Sequence, residues 1–409
     1  MTARASGPAV TVGHSADGPP VMVTPVRDRA DTTAFVRLPY AVYRDDPLWV
    51  APLERERRAF LDPGRNPFFE VGTVQLFLAR RGKTVVGRIA AVVDPRHQER
   101  GDLDCGQFGL FECVDEPAVA AALFDTAADW LGERGLSRML GPLSFSVNDE
   151  CGLLVDGYDC PPTMLMPHNP PYYPRLFEDC GFTKAQDLLS WRVPMPADGE
   201  PPAGFRRAAQ RALAAPGVRV RALDPDRLDV DMAIVRDIYS DAWSQNYAAT
   251  PMTDREFTHF VRGVTPILRP ELVQIAEVHG EPAGFLLCLP DSNQALRAAR
   301  GRLTSYGVPI GLVRIARATR RIQRTRVVAC GIKREHRNRG LAAAMFAQTQ
   351  RASFRLGHTE TEISWVLEDN RHSNGHAKGA GGILFRIHRL YERTGRSTPQ
   401  GVQPVRYTV

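Results

Sequence analysis

Charged residues crowd in front of a single glycine in the stretch KREHRNRGLAAAMFAQTQRA, which runs from residue 333 to residue 352. Arg334, Arg337 and Arg339 precede Gly340, and no charged side chain follows until Arg351. The alanine-rich segment after the glycine predicts a helix, and cations at a helix N terminus oppose the helix dipole. A bound anion removes the conflict, because glycine lets the free N–H groups of the first turn approach it. The stretch therefore predicts an anion site suited to a pyrophosphate.

Strands on both sides must position this loop. The apolar run RVVACGIK ends directly before it, and TEISWVLEDN (361–370) predicts the next strand, which closes on Asn370. A strand, a basic glycine loop and a helix of small residues, followed by another strand, together form an α/β unit. The anion is then expected at the carboxyl end of the first strand.

The motif Arg337-x-x-Gly340-x-Ala342, in this order of strand, helix and strand, resembles the acyl-CoA pyrophosphate loop of the GNAT (GCN5-related N-acetyltransferase) superfamily. The likeness spans roughly residues 218–391. It implies that acyl-CoA, either acetyl-CoA or a longer chain, is a co-substrate and that an amine acceptor attacks the thioester directly. The residues that the resemblance assigns to acyl-CoA binding are Cys330, Ile332, Arg334, Arg337, Asn338, Arg339, Gly340, Leu341, Ala342 and Asn370.

The resemblance also implies an electrophile, a base and an acid. A backbone N–H at the end of the first of these strands would polarise the thioester carbonyl, while a base takes the amine proton. Glu368 and Asp369 are the candidate bases, and the alternative is that they cap the following helix. The tyrosine that is often the acid in this superfamily falls here on Ala377. The acid is then another group, such as Tyr391, or water.

The two halves of the chain share a layout. Apolar, β-branched runs surround Arg81-Gly82-Lys83 in the first half and His279-Gly280-Glu281 in the second, and each pair predicts a hairpin. The whole chain resembles bacterial tandem-GNAT acyltransferase-like proteins. The predicted fold class is α/β (α+β), with two tandem GNAT-like domains, each a mixed, mostly antiparallel sheet flanked by helices. The predicted organisation is a disordered leader (1–20), a degenerate N-terminal domain (21–195), a linker (196–216) and a C-terminal domain that binds acyl-CoA (217–409).

The first half lacks the anion loop. Its corresponding helix opens with VDEPAVAAAL, which places acids where the anion would sit, so this half is expected to support the fold without binding CoA. The segment 144–174 is dense in polar and aromatic residues, a composition typical of a binding loop and equally of a long structured turn. If it binds, the acceptor lies between the halves, and the candidate contacts are Asn148, Asp149, Glu150, Tyr172 and Tyr173.

Charge is distributed unevenly. Residues 1–200 hold 20 basic and 28 acidic side chains, and residues 201–409 hold 32 and 18. An acidic half would attract a small-molecule or lipid amine, and a basic half would attract CoA phosphates. The arginine-rich segment 307–326 predicts an amphipathic helix, for which peripheral membrane contact, attraction of CoA phosphates and a solvated face are the open alternatives. We expect no specific nucleic-acid partner, because aromatic residues do not interleave these arginines.

The remaining composition is that of a cytoplasmic globular protein, or a membrane-peripheral one. No apolar run approaches the roughly 20 residues that span a bilayer. The seven cysteines form no C-x-x-C pair, so neither a disulfide framework nor a metal site is expected. The oligomeric state does not follow from the sequence.

Three functions fit these patterns. The first is an acyl-CoA-dependent N-acyltransferase. The second is a Fem-type transferase that takes its donor from aminoacyl-tRNA, which suits the arginine-rich insertion but generally lacks the pyrophosphate loop. The third is a non-catalytic acyl-CoA-binding protein, for which the alanine at position 377 is the best support.

Overall fold

The structure is a computed structural model that describes residues 10–12, 19–99, 103–243, 250–303 and 309–394. Its strands are β1 (Val10–Val12), β2 (Val21–Pro25), β3 (Thr73–Arg81), β4 (Thr84–Val93), β5 (Cys105–Cys113), β6 (Arg138–Gly141), β7 (Leu153–Asp156), β8 (Thr183–Pro194), β9 (Val218–Ala222), β10 (Gln274–Val278), β11 (Glu281–Pro290), β12 (Arg324–Ile332), β13 (Glu360–Leu367) and β14 (Ile383–Thr394).

Helices cover this sheet on both faces, and short 3₁₀ turns link several of them. No helix among the described residues is both long and apolar enough to cross a lipid bilayer. The helices are α1 (Arg29–Val42), α2 (Glu54–Phe60), α3 (Pro95–Gln98), α4 (Pro117–Gly132), α5 (Tyr173–Asp179), α6 (Ala203–Leu213), α7 (Leu228–Trp243), α8 (Asp254–Val264), α9 (Asn293–Leu296), α10 (Ile310–Thr319), α11 (Leu341–Arg355) and α12 (Arg371–Gly379).

Both predicted hairpins are present. β3 and β4 pair antiparallel from Arg81 and Thr84 at the turn, and β10 and β11 pair antiparallel from Val278 and Glu281. Each turn contains a glycine with positive φ, as tight hairpin turns require. Each hairpin is followed by a strand that pairs antiparallel with it, β5 in the first half and β12 in the second.

One continuous sheet contains both halves of the chain. Its order is β1-β2-β3-β4-β5-β6-β14-β8-β13-β12-β11-β10-β9, and β7 pairs with β14 off this path. The closing strand of each half therefore lies in the other half. β8 pairs with β13 and β14, while β14 pairs with β6, β7 and β8. Each repeat is completed by exchange of its last strand.

The segments predicted to be a disordered leader and a linker contain a strand and a helix. β1 lies within the predicted disordered leader and pairs with β2, while most of that leader lies outside the described residues. The predicted linker, residues 196–216, contains α6. Phe205 and Ala209 on α6 are buried in the core of the second half, and Phe205 meets Phe346 of α11 edge to face. α6 therefore belongs to the helical layer of the second half.

The core of the first half is rich in aromatic side chains. Phe111 and Phe124 stack with ring centroids 4.6 Å apart, and Phe177 and Phe182 pack against Phe124. Tyr391 from β14 is part of the same cluster, with its ring 5.2 Å from that of Phe177. Burial of each such ring contributes on the order of 2 kcal/mol. The core of the first half therefore depends on a strand from the end of the chain.

Candidate active site

A split between β12 and β13 forms the centre of the candidate site. The two strands pair in parallel only from Arg324 with Glu360 to Val327 with Ile363. Beyond this point their edges separate, and no strand of the described ranges pairs with β12 on that side. Ala329 is half-buried and Cys330 is exposed, so this part of β12 is accessible from solvent. Unpaired backbone N–H groups on a strand edge are suitable donors to a carbonyl oxygen.

The helix that follows β12 begins without a cap. Gly340 adopts φ 77° and ψ 11° at the N-cap position of α11, and no side chain accepts a hydrogen bond from the first turn. Leu341 is buried and Ala342 half-buried, and the first turn contains no acidic residue. The free N–H groups and the helix dipole therefore favour an anion at this end of the helix.

The basic loop is attached to α7. The Lys333 ammonium pairs with the Asp237 carboxylate at 2.7 Å, and the backbone N–H of Arg334 donates to Asp241 at 3.0 Å. The guanidinium of Arg337 donates to the carbonyl of Ala242 at 3.4 Å. These contacts hold the loop beside the helix N terminus. Asn338, with φ 64°, and Arg339 are exposed, while Ile332 is half-buried at the end of β12.

The corresponding split of the first half is filled. β5 and β6 pair in parallel only as far as Gln107 with Leu140. The chain after β6 then crosses the gap, with Leu143 and Phe145 fully buried. It passes so close that a Cβ on Gly109 would lie 1.7 Å from the carbonyl oxygen of Leu143. The first half therefore offers no open split.

The start of α4 also differs from that of α11. Its N-cap residue is Glu116, whose carboxylate pairs with the Arg81 guanidinium, and Arg175 forms an ion pair with Asp115. The negative charges predicted at this helix N terminus are therefore present, and each is matched by an arginine. An anion of the phosphate type would meet acidic side chains here, unlike at α11.

The predicted bases follow β13 at the turn into α12. Glu368 accepts from the Lys184 ammonium at 2.7 Å and from the backbone N–H of Asp187 at 3.0 Å, so it ties this turn to β8. Asp369 is exposed. Asn370 caps α12 by accepting from the N–H of Ser373 at 3.0 Å. These contacts give Glu368 and Asn370 clear structural roles.

Tyr391 occupies a different place from the one its predicted role requires. Its side chain is 1% exposed, and its hydroxyl lies 3.4 Å from Glu178 of α5. Its neighbours belong to the aromatic core of the first half, because β14 is the exchanged strand. This placement argues against Tyr391 as an acid at the β12–β13 split.

The predicted acceptor loop brings the two halves together. The Asn148 side chain donates to the carbonyl of Thr250 at 3.0 Å and accepts from the Tyr239 hydroxyl at 2.5 Å. Tyr239 lies on α7 and packs in the same apolar cluster as Val328 and Ala329 of β12. The loop therefore reaches the helix that lines the exposed part of β12.

Two carboxylates follow Asn148 and have unequal partners. Glu150 forms an ion pair with the Arg57 guanidinium. Asp149 is half-buried, and among the residues that the structure describes its carboxylate accepts from the Ser146 hydroxyl alone, at 3.3 Å, and pairs with no guanidinium. Burial raises the pKa of the Asp149 carboxyl to about 7. A partly accessible carboxyl with a pKa near neutrality is suited to accept a proton.

The two tyrosines predicted to contact the acceptor form hydrogen bonds with β5 in the first half. Tyr172 donates to the carbonyl of Cys113 at 2.7 Å. Tyr173 is fully buried, and its hydroxyl donates to Glu112 at 2.8 Å and accepts from the N–H of Cys113 at 2.9 Å. Burial raises the pKa of the Glu112 carboxyl. Both tyrosines therefore stabilise β5, and these hydrogen bonds lie within the first half.

A buried polar cluster on the central strands has no counterpart among the sequence predictions. Arg326 donates to the Ser364 hydroxyl at 2.8 Å and to the carbonyl of Met164 at 2.6 Å. Arg386 and His388 of β14 are also buried. Such residues alternate with apolar ones along each strand, but only the register of neighbouring strands brings them together. Tyr239 was missed for a similar reason, since nothing near it in sequence marks a site.

Within the described ranges no group of three or more His, Cys, Asp and Glu side chains could hold a metal ion.

The fold is that of tandem GNAT proteins. The structure matches a GCN5-related N-acetyltransferase from Sphaerobacter thermophilus with a TM-score of 0.52 at 16% identity, covering 92% of this chain and 98% of that one. A tandem GNAT protein from the clavulanic acid biosynthesis pathway matches with a TM-score of 0.53 at 12% identity, covering 92% of this chain and all (100%) of that one. At such identities the likeness shows the fold alone, and the predicted fold class is confirmed.

The chain belongs to the family that includes bacterial ceramide synthase and Protein YghO. It is 37% identical over 378 residues to the bacterial ceramide synthase of Caulobacter vibrioides (strain NA1000 / CB15N), covering 91% of this chain and 97% of that protein. It is 32% identical over 370 residues to Protein YghO of Escherichia coli (strain K12), covering 90% of this chain and 93% of that protein. No protein-family model matches the chain. Fold and homology together support acyltransferase activity in general terms.

Proposed function

We propose that this protein is an acyl-CoA-dependent N-acyltransferase with an amine acceptor. The observation that carries the proposal is the contrast between the halves. The open β12–β13 split ends beside the uncapped N terminus of α11, whereas the chain fills the equivalent split of the first half. In this proposal the thioester lies along the exposed part of β12, and the helix N terminus with its basic loop has the charge to hold the pyrophosphate.

The name of one relative supports a lipid amine as the acceptor class. The relative from Caulobacter vibrioides is named a ceramide synthase, and a ceramide is the amide of a long-chain amino alcohol. The acyl group on CoA is then a long chain as well. The junction between the halves, with Asn148 bonded to Tyr239, offers a place for the acceptor amine close to β12.

Transfer proceeds by direct attack in this proposal. The amine nitrogen bonds to the thioester carbon, whose oxygen is polarised by an unpaired N–H of β12. Asp149 takes the proton from the amine nitrogen. The C–S bond then breaks, and the thiolate leaves and takes a proton from solvent. We assign the base to Asp149 in place of Glu368, since Glu368 already binds the Lys184 ammonium and the Asp187 backbone N–H.

The Asp149→Asn variant tests this assignment. The amide keeps the shape of the carboxyl but cannot accept the proton, so kcat for amine acylation should fall on the order of 100-fold or more, with the KM for acyl-CoA changed little. Wild-type kcat should decrease as pH falls through about 7, where Asp149 becomes protonated, and this limb should vanish in the variant. Thiol release from acyl-CoA measures both.

Asp159→Asn is the matched control, since Asp159 is exposed on the neighbouring loop and should keep wild-type kinetics. Equal activity of Asp149→Asn and wild type would show that Asp149 is not the base that takes the amine proton. Failure of the intact protein to release thiol with any of a panel of lipid amines, despite binding acyl-CoA, would favour a non-catalytic acyl-CoA-binding protein. Tighter binding of aminoacyl-tRNA than of acyl-CoA in calorimetry would favour the Fem-type reaction.

A further inference from the structure

The helix α10 presents apolar side chains to solvent. Leu312 is 55% exposed, Val313 51% and Ile310 39%, on a helix of ten residues. Gly311 is buried, so the opposite side of the helix packs against the protein. Exposed aliphatic side chains grouped on one helix are uncommon on soluble surfaces and mark contact sites.

Arginines flank this apolar surface. A cleft of about 750 Å³ lies beside α10, and its walls include Arg314, Arg317, Arg320 and Arg321. All four are exposed. Within the part of the chain that the structure describes, none of the four guanidiniums has an ion pair or a side-chain hydrogen bond. The remaining residues of the cleft are Gln294, Ala298 and Ala318.

Neighbouring acids do not neutralise these arginines. Residues 310–323 include no Asp or Glu. The nearby carboxylates of Asp291 and Glu360 both face Arg324, at 3.0 Å and 3.7 Å. Arginines elsewhere on the chain are commonly paired, as Arg351 is with Glu200. The four arginines of α10 and its C-terminal turn therefore form an uncompensated positive surface that complements an anionic partner.

We propose that α10 docks the protein on an anionic lipid bilayer. Leu312 and Val313 enter the boundary between headgroups and acyl chains, and the four arginines contact lipid phosphates, in the manner of an interfacial amphipathic helix. The exposed apolar side chains favour a lipid surface over a soluble anion as the partner. A free phosphate or a nucleic acid would use the arginines but would leave Leu312 and Val313 in water, and the described part of this surface has no aromatic side chain for base stacking.

The proposal goes beyond acyl transfer and does not depend on it. It concerns binding of the protein to a membrane, and it would remain valid if the protein catalysed a different reaction. A membrane-bound position also suits a lipid amine, which partitions into the bilayer.

Flotation of the full-length protein with vesicles tests the proposal. We expect co-flotation with phosphatidylcholine vesicles containing about 30% phosphatidylglycerol, little with pure phosphatidylcholine, and weaker binding at high salt because added ions screen the charges. Arg317→Glu/Arg321→Glu and Leu312→Ser/Val313→Ser should each reduce the partition coefficient at least about tenfold. Thermal melting should be unchanged in both, since the substituted side chains are exposed.

The matched control is Arg211→Glu/Arg219→Glu, which makes the same charge change at two exposed arginines elsewhere. This control should float like the wild-type protein. Absence of flotation with anionic vesicles, or an equal loss in the control, overturns the proposal. So does retention of full binding in Leu312→Ser/Val313→Ser, or full displacement by millimolar glycerol phosphate, since either outcome assigns the arginines to a soluble phosphate. Tighter binding to single-stranded RNA than to anionic vesicles also overturns it.

Discussion

His388 is the clearest case of a single residue whose chemistry is set by its surroundings. Its ring is fully buried on β14, and its Nε2 lies 3.1 Å from the carbonyl oxygen of Pro167. Burial, together with the charge of Arg386, lowers the pKa of His388 to about 3. The imidazole is therefore neutral at physiological pH, and its Nε2–H donates to the carbonyl.

This residue predicts a loss of stability in acid. The pKa of His388 is lower in the folded protein than in the unfolded chain, so the unfolded chain binds the extra proton between about pH 6.5 and pH 3. The contribution of His388 to stability then falls by about 1.4 kcal/mol for each pH unit below 6.5. The raised pKa values of the Asp149 and Glu112 carboxyls act in the opposite sense, so the test is the difference between wild type and variant. In denaturant titrations at pH 7 and pH 5, the change in stability per pH unit should differ between wild type and His388→Gln by roughly that amount.

The exposed His259 on α8 provides the matched control, since His259→Gln makes the same substitution at a surface histidine. His168, His358 and His376 also have a lowered pKa through burial, so part of the acid sensitivity will persist in the His388 variant. The same slope in wild type and His388→Gln would contradict the assignment, whatever the absolute stability of the variant.

At the scale of elements, both ends of α11 are marked by a glycine with positive φ. Gly340 begins the helix with φ +77°, and Gly357 follows its end with φ +81°. A Cβ on Gly340 would lie 3.2 Å from the Cβ of Ala212 on α6, whereas nothing lies within 4 Å of one on Gly357. The two positions have the same backbone requirement, but only Gly340 lies at the proposed anion site.

Gly340→Ala and Gly357→Ala therefore form a matched pair. Alanine at positive φ should cost each variant on the order of 1 kcal/mol of stability. Only Gly340→Ala should weaken binding of acyl-CoA, by at least about tenfold, because the shifted first turn no longer offers its N–H groups to the pyrophosphate. Calorimetric titration with acyl-CoA measures the difference, and equal affinities of the two variants would argue against this site.

At the scale of the whole molecule, the exchange of β8 and β14 makes the halves interdependent. β8 is the strand beside β13, and β14 is the strand beside β6. Tyr391 of β14 is buried in the aromatic core of the first half, and Leu390 is buried in a cluster formed by both halves. A chain cut between the halves leaves each part with an unpaired strand edge and an exposed apolar strand, which promotes aggregation.

Separate expression of residues 1–199 and 200–409 tests this dependence. Each fragment alone should be insoluble or lack a cooperative unfolding transition, whereas co-expressed fragments should assemble and bind acyl-CoA. The intact protein should unfold in one transition by calorimetry and circular dichroism. An isolated second half that unfolds cooperatively and binds acyl-CoA would show that the exchanged strands are dispensable.

Local signals were enough to predict the elements around the proposed donor site. Charge patterning and Gly340 predicted the loop, and apolar periodicity with turn residues predicted β12, α11 and β13, because these features act over a few residues of chain. Local patterns did not predict a helix in the linker, because the prolines before α6 obscured its amphipathic pattern. They also could not show that Tyr391, named as a candidate acid, is buried in the aromatic core of the first half.

The sequence by itself determined that the chain carries two related α/β units and one basic glycine loop. Only the tertiary structure decided which residues are in contact. Asn148 bonds to Tyr239, Arg326 bonds to Ser364, and Tyr391 packs in the aromatic core of the first half. The physical reason is that these contacts join residues 38 to more than 200 positions apart. Their formation depends on strand register and strand exchange, which are set by the packing of the whole sheet and leave no pattern in the neighbouring sequence.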